Sequence, residues 1–177
     1  MRLPPWPLLL AFEEDDLLKS LLFGKKRDLD EGRSYLVKER KPARALAHFQ
    51  RAIEQGYRPL YITRQHPNHV VRHTAGKEIR VVWLSTTLGN DYVDPHNLNS
   101  LSNLISNFVA DGDRAVVLLD GIEYLMMNND FPRLLQFLEY INEQIALRRG
   151  ILLLSLDDRA FDQKDLAYIE KATVLLE

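Results

Sequence analysis

A chain of 177 residues is one domain by size, with room for a modest extension. Its 46% hydrophobic content supports a buried core, and 23 Lys and Arg against 25 Asp and Glu argue against wholesale nucleic-acid or membrane-surface binding. With no cysteine, disulfides, thiolate catalysis, thiolate-bound zinc and a secreted disulfide scaffold are all excluded.

Residues 1–31 differ in character from the remainder of the chain. Arg2, Trp6, Leu8, Leu9 and Leu10 start an apolar run far shorter than the ~20 residues that span a bilayer. Glu13, Glu14, Asp15 and Asp16 come at once after it, without a small-residue cleavage site, so the chain reads as soluble and cytoplasmic, with no membrane span. Leu9, Leu10, Leu17, Leu18, Leu21, Leu22 and Phe23 fit an amphipathic helix ended by Gly24, and Lys25-Lys26-Arg27 forms a basic linker. That helix packs either on its own domain or on a partner chain.

Residues 32–177 read as a single α/β domain in which strands and helices alternate. Residues 34–37 are a short apolar strand, and residues 42–55 a helix with Ala45, Leu46, Phe49 and Ile53 on one face, closed by Gly56. Strands at 60–62 and 79–84 come next, and Asp94-Pro95 reads as a helix start ahead of Leu98, Leu101, Leu104, Ile105 and Phe108. Residues 115–119 are an unbroken apolar run, as expected of a strand buried on both faces. A helix over about 131–148 turns Leu134, Leu135, Leu138, Ile141 and Ile145 inward. A strand at 151–154, a short helix around 165–170 and a strand at 173–176 complete the chain. Right-handed crossovers then give a mainly parallel sheet covered on both sides, a three-layer α/β/α fold.

Ligands of such sheets bind beyond the carboxyl ends of the strands. Those positions here hold Lys38, Glu39, Arg40 and Lys41; Thr63 and Arg64; Ser85, Thr86 and Thr87; Asp120, Gly121 and Glu123; and Ser155, Asp157, Asp158 and Arg159. Polar loops alone account for most of that set. Two features exceed it. Val116-Val117-Leu118-Leu119-Asp120 resembles a Walker B strand, where the Asp holds magnesium and a following acid such as Glu123 polarises water; a capping role for Asp120 is the alternative. Lys38, Arg40, Lys41 and Arg44 crowd the start of the first helix, where cations oppose the macrodipole unless an anion binds, or unless Glu39 serves as counter-charge. A P-loop there would require G-x-x-x-x-G-K-[ST], yet the place reads Val37-Lys38-Glu39-Arg40-Lys41-Pro42-Ala43-Arg44. It has no glycine, and Pro42 removes an amide donor, so ordinary P-loop hydrolysis is not expected.

Other constellations are demoted. His66, His69 and His73 sit at helical spacings but read as an exposed polar helix without a metal's supporting shell. Ser85-Thr86-Thr87 has no adjacent base, and Asp157-Asp158 lies too far along the chain for a receiver-type acidic pair. Tyr124, Met126 and Met127 fit either an adaptable surface patch or helix core.

Several motifs together resemble the family called domain of unknown function 835: Gly32-x-x-Tyr35-Leu36-Val37, then Gly56, Leu60-Tyr61-Ile62-Thr63-Arg64-x-x-Pro67 and Val82-Trp83-Leu84-Ser85. Val116 to Leu125 and Asn129-x-Phe131 extend the resemblance, which covers about residues 32–177. It implies an archaeal, signalling-associated protein with no established reaction. More distantly the stretch is similar to RecA- and KaiC-like P-loop ATPases, implying their topology with a degenerate P-loop. The expectation is therefore a non-catalytic signalling or scaffold module without a cofactor, binding a protein partner or a second copy of itself. The alternatives are a nucleotide- or anion-responsive switch lined by Lys38, Lys41, Arg44, Arg64, Asp120 and Glu123, and a magnesium-dependent hydrolase using Asp120 and Glu123.

Overall fold

The structure is a computed structural model, and it describes residues 29–70, 73–74, 76–87 and 89–176. The expected amphipathic helix and basic linker lie outside the described residues, apart from residues 29–31. Nine strands are described: β1 (Arg33–Lys38), β2 (Arg58–Thr63), β3 (His73–Thr74), β4 (Lys77–Glu78), β5 (Arg80–Leu84), β6 (Tyr92–Val93), β7 (Ala115–Asp120), β8 (Ile151–Leu156) and β9 (Val174–Leu176). The helices are α1 (Ala43–Glu54), α2 (Leu98–Ala110), α3 (Ile122–Asn128), α4 (Phe131–Arg148) and α5 (Gln163–Lys171).

Seven strands form one sheet in the order β6-β5-β2-β7-β8-β1-β9, and every pairing in it is parallel. β3 and β4 make a separate antiparallel ribbon. Side chains alternate across the sheet, as the two-residue period of a strand demands. Leu36, Val117, Leu119, Leu152 and Leu154 face a core shared with α2, α3, α4 and α5. Tyr35, Val37, Val116, Leu118 and Leu153 face the other way, onto Ala45, Phe49, Ala52 and Ile53 of α1. Helices thus cover both faces of a parallel sheet in a three-layer α/β/α arrangement. The four central apolar runs are buried on both sides, which is why they carry almost no polar residue.

Local chemistry explains most of the boundaries. Asp130 caps α4 by accepting from the Arg133 N–H at 2.9 Å, with Pro132 in the first turn. Gly56 follows α1 at φ +103°, a conformation that closes a helix cheaply only with glycine. Arg58 ties down the end of α2, its guanidinium donating to the Phe108 carbonyl at 3.0 Å and lying 4.8 Å over the Phe108 ring.

Three expectations are corrected. Asp94-Pro95 does not open α2: the Asp94 carboxylate is occupied by the His96 N–H at 2.9 Å and the His96 ring at 2.8 Å. The helix begins one turn later, with Asn97 accepting from the Ser100 N–H at 3.0 Å. The histidine segment is not helical, because Pro67–His69 form a 3-10 turn and His73 lies in a strand. Leu135 is only half-buried, and Phe137 takes its place in the core. The two-residue strands went unforeseen, and α3 stood only as one of two readings of Tyr124, Met126 and Met127, since elements so short hold too few residues for a period to show.

Candidate functional site

The carboxyl ends of β1, β2, β7 and β8 lie side by side. Thr63 pairs in register with Asp120, Asp120 with Ser155, and Ser155 with Val37. The polar residues that close these four strands therefore form a row across the middle of the sheet, where a parallel α/β fold places its ligands.

At the β1 end the chain supplies its own anion. Glu39, whose side chain is only 8% exposed, turns its carboxylate onto the start of α1. One oxygen accepts from the Arg44 N–H at 2.8 Å, the other from the Ala45 N–H at 3.0 Å. The Ser155 hydroxyl donates to the second oxygen at 3.1 Å, linking β8 to the same carboxylate. Arg44 Nε lies 3.7 Å from Glu39, and its guanidinium also donates to the Lys38 carbonyl. The unfavourable cluster of cations at a helix N-terminus is thus answered by an internal negative charge on two of the amides that have no partner within the helix. Lys38 is drawn away from this point into an ion pair with Glu170 of α5. Lys41 is exposed.

At the ends of β2 and β7 the arrangement is different. Asp120 accepts from the Thr63 hydroxyl at 2.9 Å and lies 3.4 Å from the Tyr61 hydroxyl. Burial raises the Asp120 carboxyl above its ordinary range, against the pull of these two donors and of Arg64. Burial beside that carboxyl likewise pushes the Tyr61 phenol up. Glu123, in the first turn of α3, accepts from the Asp157 N–H. It too is raised by burial, with the Asp120 charge adding to the effect. Asp157 is the opposite case, held down to about 2 by the Arg159 guanidinium. The backbone carbonyl of exposed Arg64 accepts from the indole N–H of Trp83 at 2.9 Å. Trp83 in turn packs edge-on against His66 and Tyr92.

Of the six residues expected to line a site, the structure gathers Arg64, Asp120 and Glu123. Lys38 and Arg44 are committed to separate partners. Among the described residues no group of three His, Asp or Glu side chains is placed to hold a metal ion. Sequence reasoning missed that Tyr61 belongs to the site. The alternation of β2 carried the signal, since Tyr61 and Thr63 lie two apart and so on one face of the strand.

A buried carboxylate of this kind weakens the fold at neutral pH. Its folded-state pKa lies above the unfolded one, so stability is lost as pH rises from ~4 through the raised value, and is regained on acidification. Asp120→Asn keeps an acceptor for Thr63 and Tyr61 but removes the charge. Thermal unfolding should show the Asn variant more stable than wild type near neutral pH, the gap narrowing toward pH ~4. Identical pH profiles would show that the charge of Asp120 has no such cost.

The model of a family described as protein of unknown function (DUF835) matches residues 38–172. No curated protein matches the chain. The matched stretch takes in every residue of the row from Lys38 to Asp157, and the chain belongs to the DUF835 family.

Proposed function

We propose that this DUF835 protein is a cytoplasmic, non-catalytic signalling or scaffold module, a RecA-like shell without a phosphate-binding loop that acts by binding a protein partner. The observation that carries this reading is the Glu39 carboxylate on the N-terminal amides of α1. A phosphate approaching there would meet a negative charge already holding the two N–H groups it needs. The absence of glycine between Val37 and Arg44, and the near balance of charge, support the same reading.

One observation favours a second reading. Asp120 and Glu123 lie together beside Arg64, both held as carboxyls that take up protons more readily than usual. Groups perturbed in this way cluster at functional sites, which supports a nucleotide- or anion-responsive switch or, further off, a magnesium-dependent hydrolase.

Titration of the purified protein with ATP and GTP in the presence of magnesium separates these readings. The module should give neither binding heat nor a rise in Tm, because a ligand that binds the folded state must stabilise it by mass action. A rise lost in Lys41→Ala or Asp120→Asn would replace the module by the switch. Nucleotide turnover abolished by Asp120→Asn would establish the hydrolase instead.

A further inference from the structure

β9 is shorter than its neighbour β1, and the difference leaves a notch at the edge of the sheet. All of Arg33–Lys38 pairs with β8, whereas β9 reaches only Tyr35, Leu36 and Val37. Beside the start of β1 lies a cavity of about 400 Å³, lined by Arg33 and Ser34 of β1, Asn142 of α4, Lys171 at the end of α5, and Thr173 just before β9. Ser34 stands two residues from Leu36 and shares its face, toward the layer that holds α4 and α5.

Two polar groups on this cavity are left over by the fold. Ser34 is only 8% exposed, yet its hydroxyl makes no hydrogen bond to another described residue. Asn142 donates its amide N–H to the Ala172 carbonyl at 3.1 Å, while its Oδ1 is buried without a partner. Folded chains satisfy nearly all such groups, so two orphans from different elements on one cavity point to something that completes them. The cavity is too large for that to be one water, whose share of liquid volume is ~30 Å³, and it falls within the range of roughly 300 to 1,000 Å³ usual for small-molecule sites. Its charge is one-sided, with two cations and no carboxylate in the lining. Lys171 forms no ion pair among the described residues, and Arg33 has only a 3.5 Å contact with Asp30, both side chains being more than half exposed. The place of Lys171 in the last turn of α5 sets a positive charge where the helix end alone would repel an anion.

We propose that this cavity binds a small phosphate ester that also carries free hydroxyls, the class of a polyol or sugar phosphate. A phosphate monoester bears close to two negative charges at neutral pH, which Arg33 and Lys171 together answer. A ligand hydroxyl supplies the donor that Asn142 Oδ1 lacks, and the Ser34 hydroxyl donates to or accepts from its neighbour. The site is independent of the module reading, because it lies at the amino ends of the strands, opposite the row that runs from Glu39 to Asp120.

Calorimetry and thermal shift of the full chain with glycerol 3-phosphate and glucose 6-phosphate test this, with inorganic phosphate and glycerol as the two halves of the ligand. At least one ester should bind with a Kd of about 1 mM or below and raise the Tm, and each half should bind roughly tenfold more weakly or worse. Lys171→Glu should reduce ester binding roughly tenfold or more. Ser34→Ala removes a hydroxyl that holds nothing in the free protein, so it should leave the Tm without ligand unchanged and weaken ester binding roughly three- to tenfold. No binding of either ester up to about 10 mM, or binding that survives both substitutions, would overturn the proposal. Inorganic phosphate binding as tightly as the esters would overturn the part assigned to Asn142 and Ser34. Nucleotide turnover would sink the module reading while leaving these results standing.

Discussion

Glu39→Ala is expected to lower the unfolding free energy by about 3 kcal/mol. Losing a helix cap costs ~1 kcal/mol, and each buried donor left without a partner adds roughly 1 to 3 kcal/mol. The donors at issue are the Arg44 and Ala45 amides and the Ser155 hydroxyl, the last on a residue only 2% exposed. Water reaching the vacated position offsets part of the loss, which keeps the estimate below the sum. For a chain of this size the Tm should fall by roughly 6 to 12 °C. Glu39→Gln should fall between the two, since it keeps one acceptor oxygen but turns an amide donor toward groups that are themselves donors. Guanidinium unfolding of the three proteins measures the series. An Ala variant within ~0.5 kcal/mol of wild type would show that the carboxylate does not hold α1, and the module reading would lose its main support.

The second large effect is expected at Gly121, the residue that joins Asp120 to α3. Its φ is +118°, where L side chains are strained. A Cβ there would lie 3.3 Å from Leu84 Cδ1 and 3.6 Å from Arg64 Cβ. Gly121→Val should therefore cost on the order of 3 kcal/mol, combining backbone strain of ~1 to 3 kcal/mol with displacement of Leu84, a core residue. Gly121→Ala should cost less, as it lacks the branch methyls. Urea unfolding midpoints report both. A Val variant as stable as wild type would mean that the turn after Asp120 relaxes freely, and that the placing of Glu123 beside Asp120 is not enforced by the backbone.

These two positions show why the site was only partly legible in the sequence. Asp120 announced itself, because a carboxylate closing four apolar residues stands out in any parallel-sheet reading. Glu39 was visible as a counter-charge, but not as the residue seated on the Arg44 and Ala45 amides. Its spacing of five and six residues from those amides matches no capping motif, and the contact depends on how the chain turns at Pro42. Ser155 completes the same contact from 116 residues away. Lys38 and Arg44 read as members of one basic cluster because they are near in sequence. In three dimensions one turns to α5 and the other to Glu39.

The order of the elements followed from the sequence itself. Apolar runs of four to six residues alternating with 3.6-period helices leave few arrangements other than a parallel sheet covered on both faces, since each strand must bury both sides and each helix one. The break at Gly56 was equally local, set by conformational preference within a few residues. Tertiary structure alone decided the strand order β6-β5-β2-β7-β8-β1-β9, and with it which strand ends meet. Contact between Thr63, Asp120, Ser155 and Glu39 is a property of sheet register. Register depends on the packing of whole elements, because the hydrophobic effect that assembles them is non-directional and carries no instruction about which polar ends lie side by side. The period of a sequence reports which face of an element is buried; only the assembled sheet determines what stands at its edge.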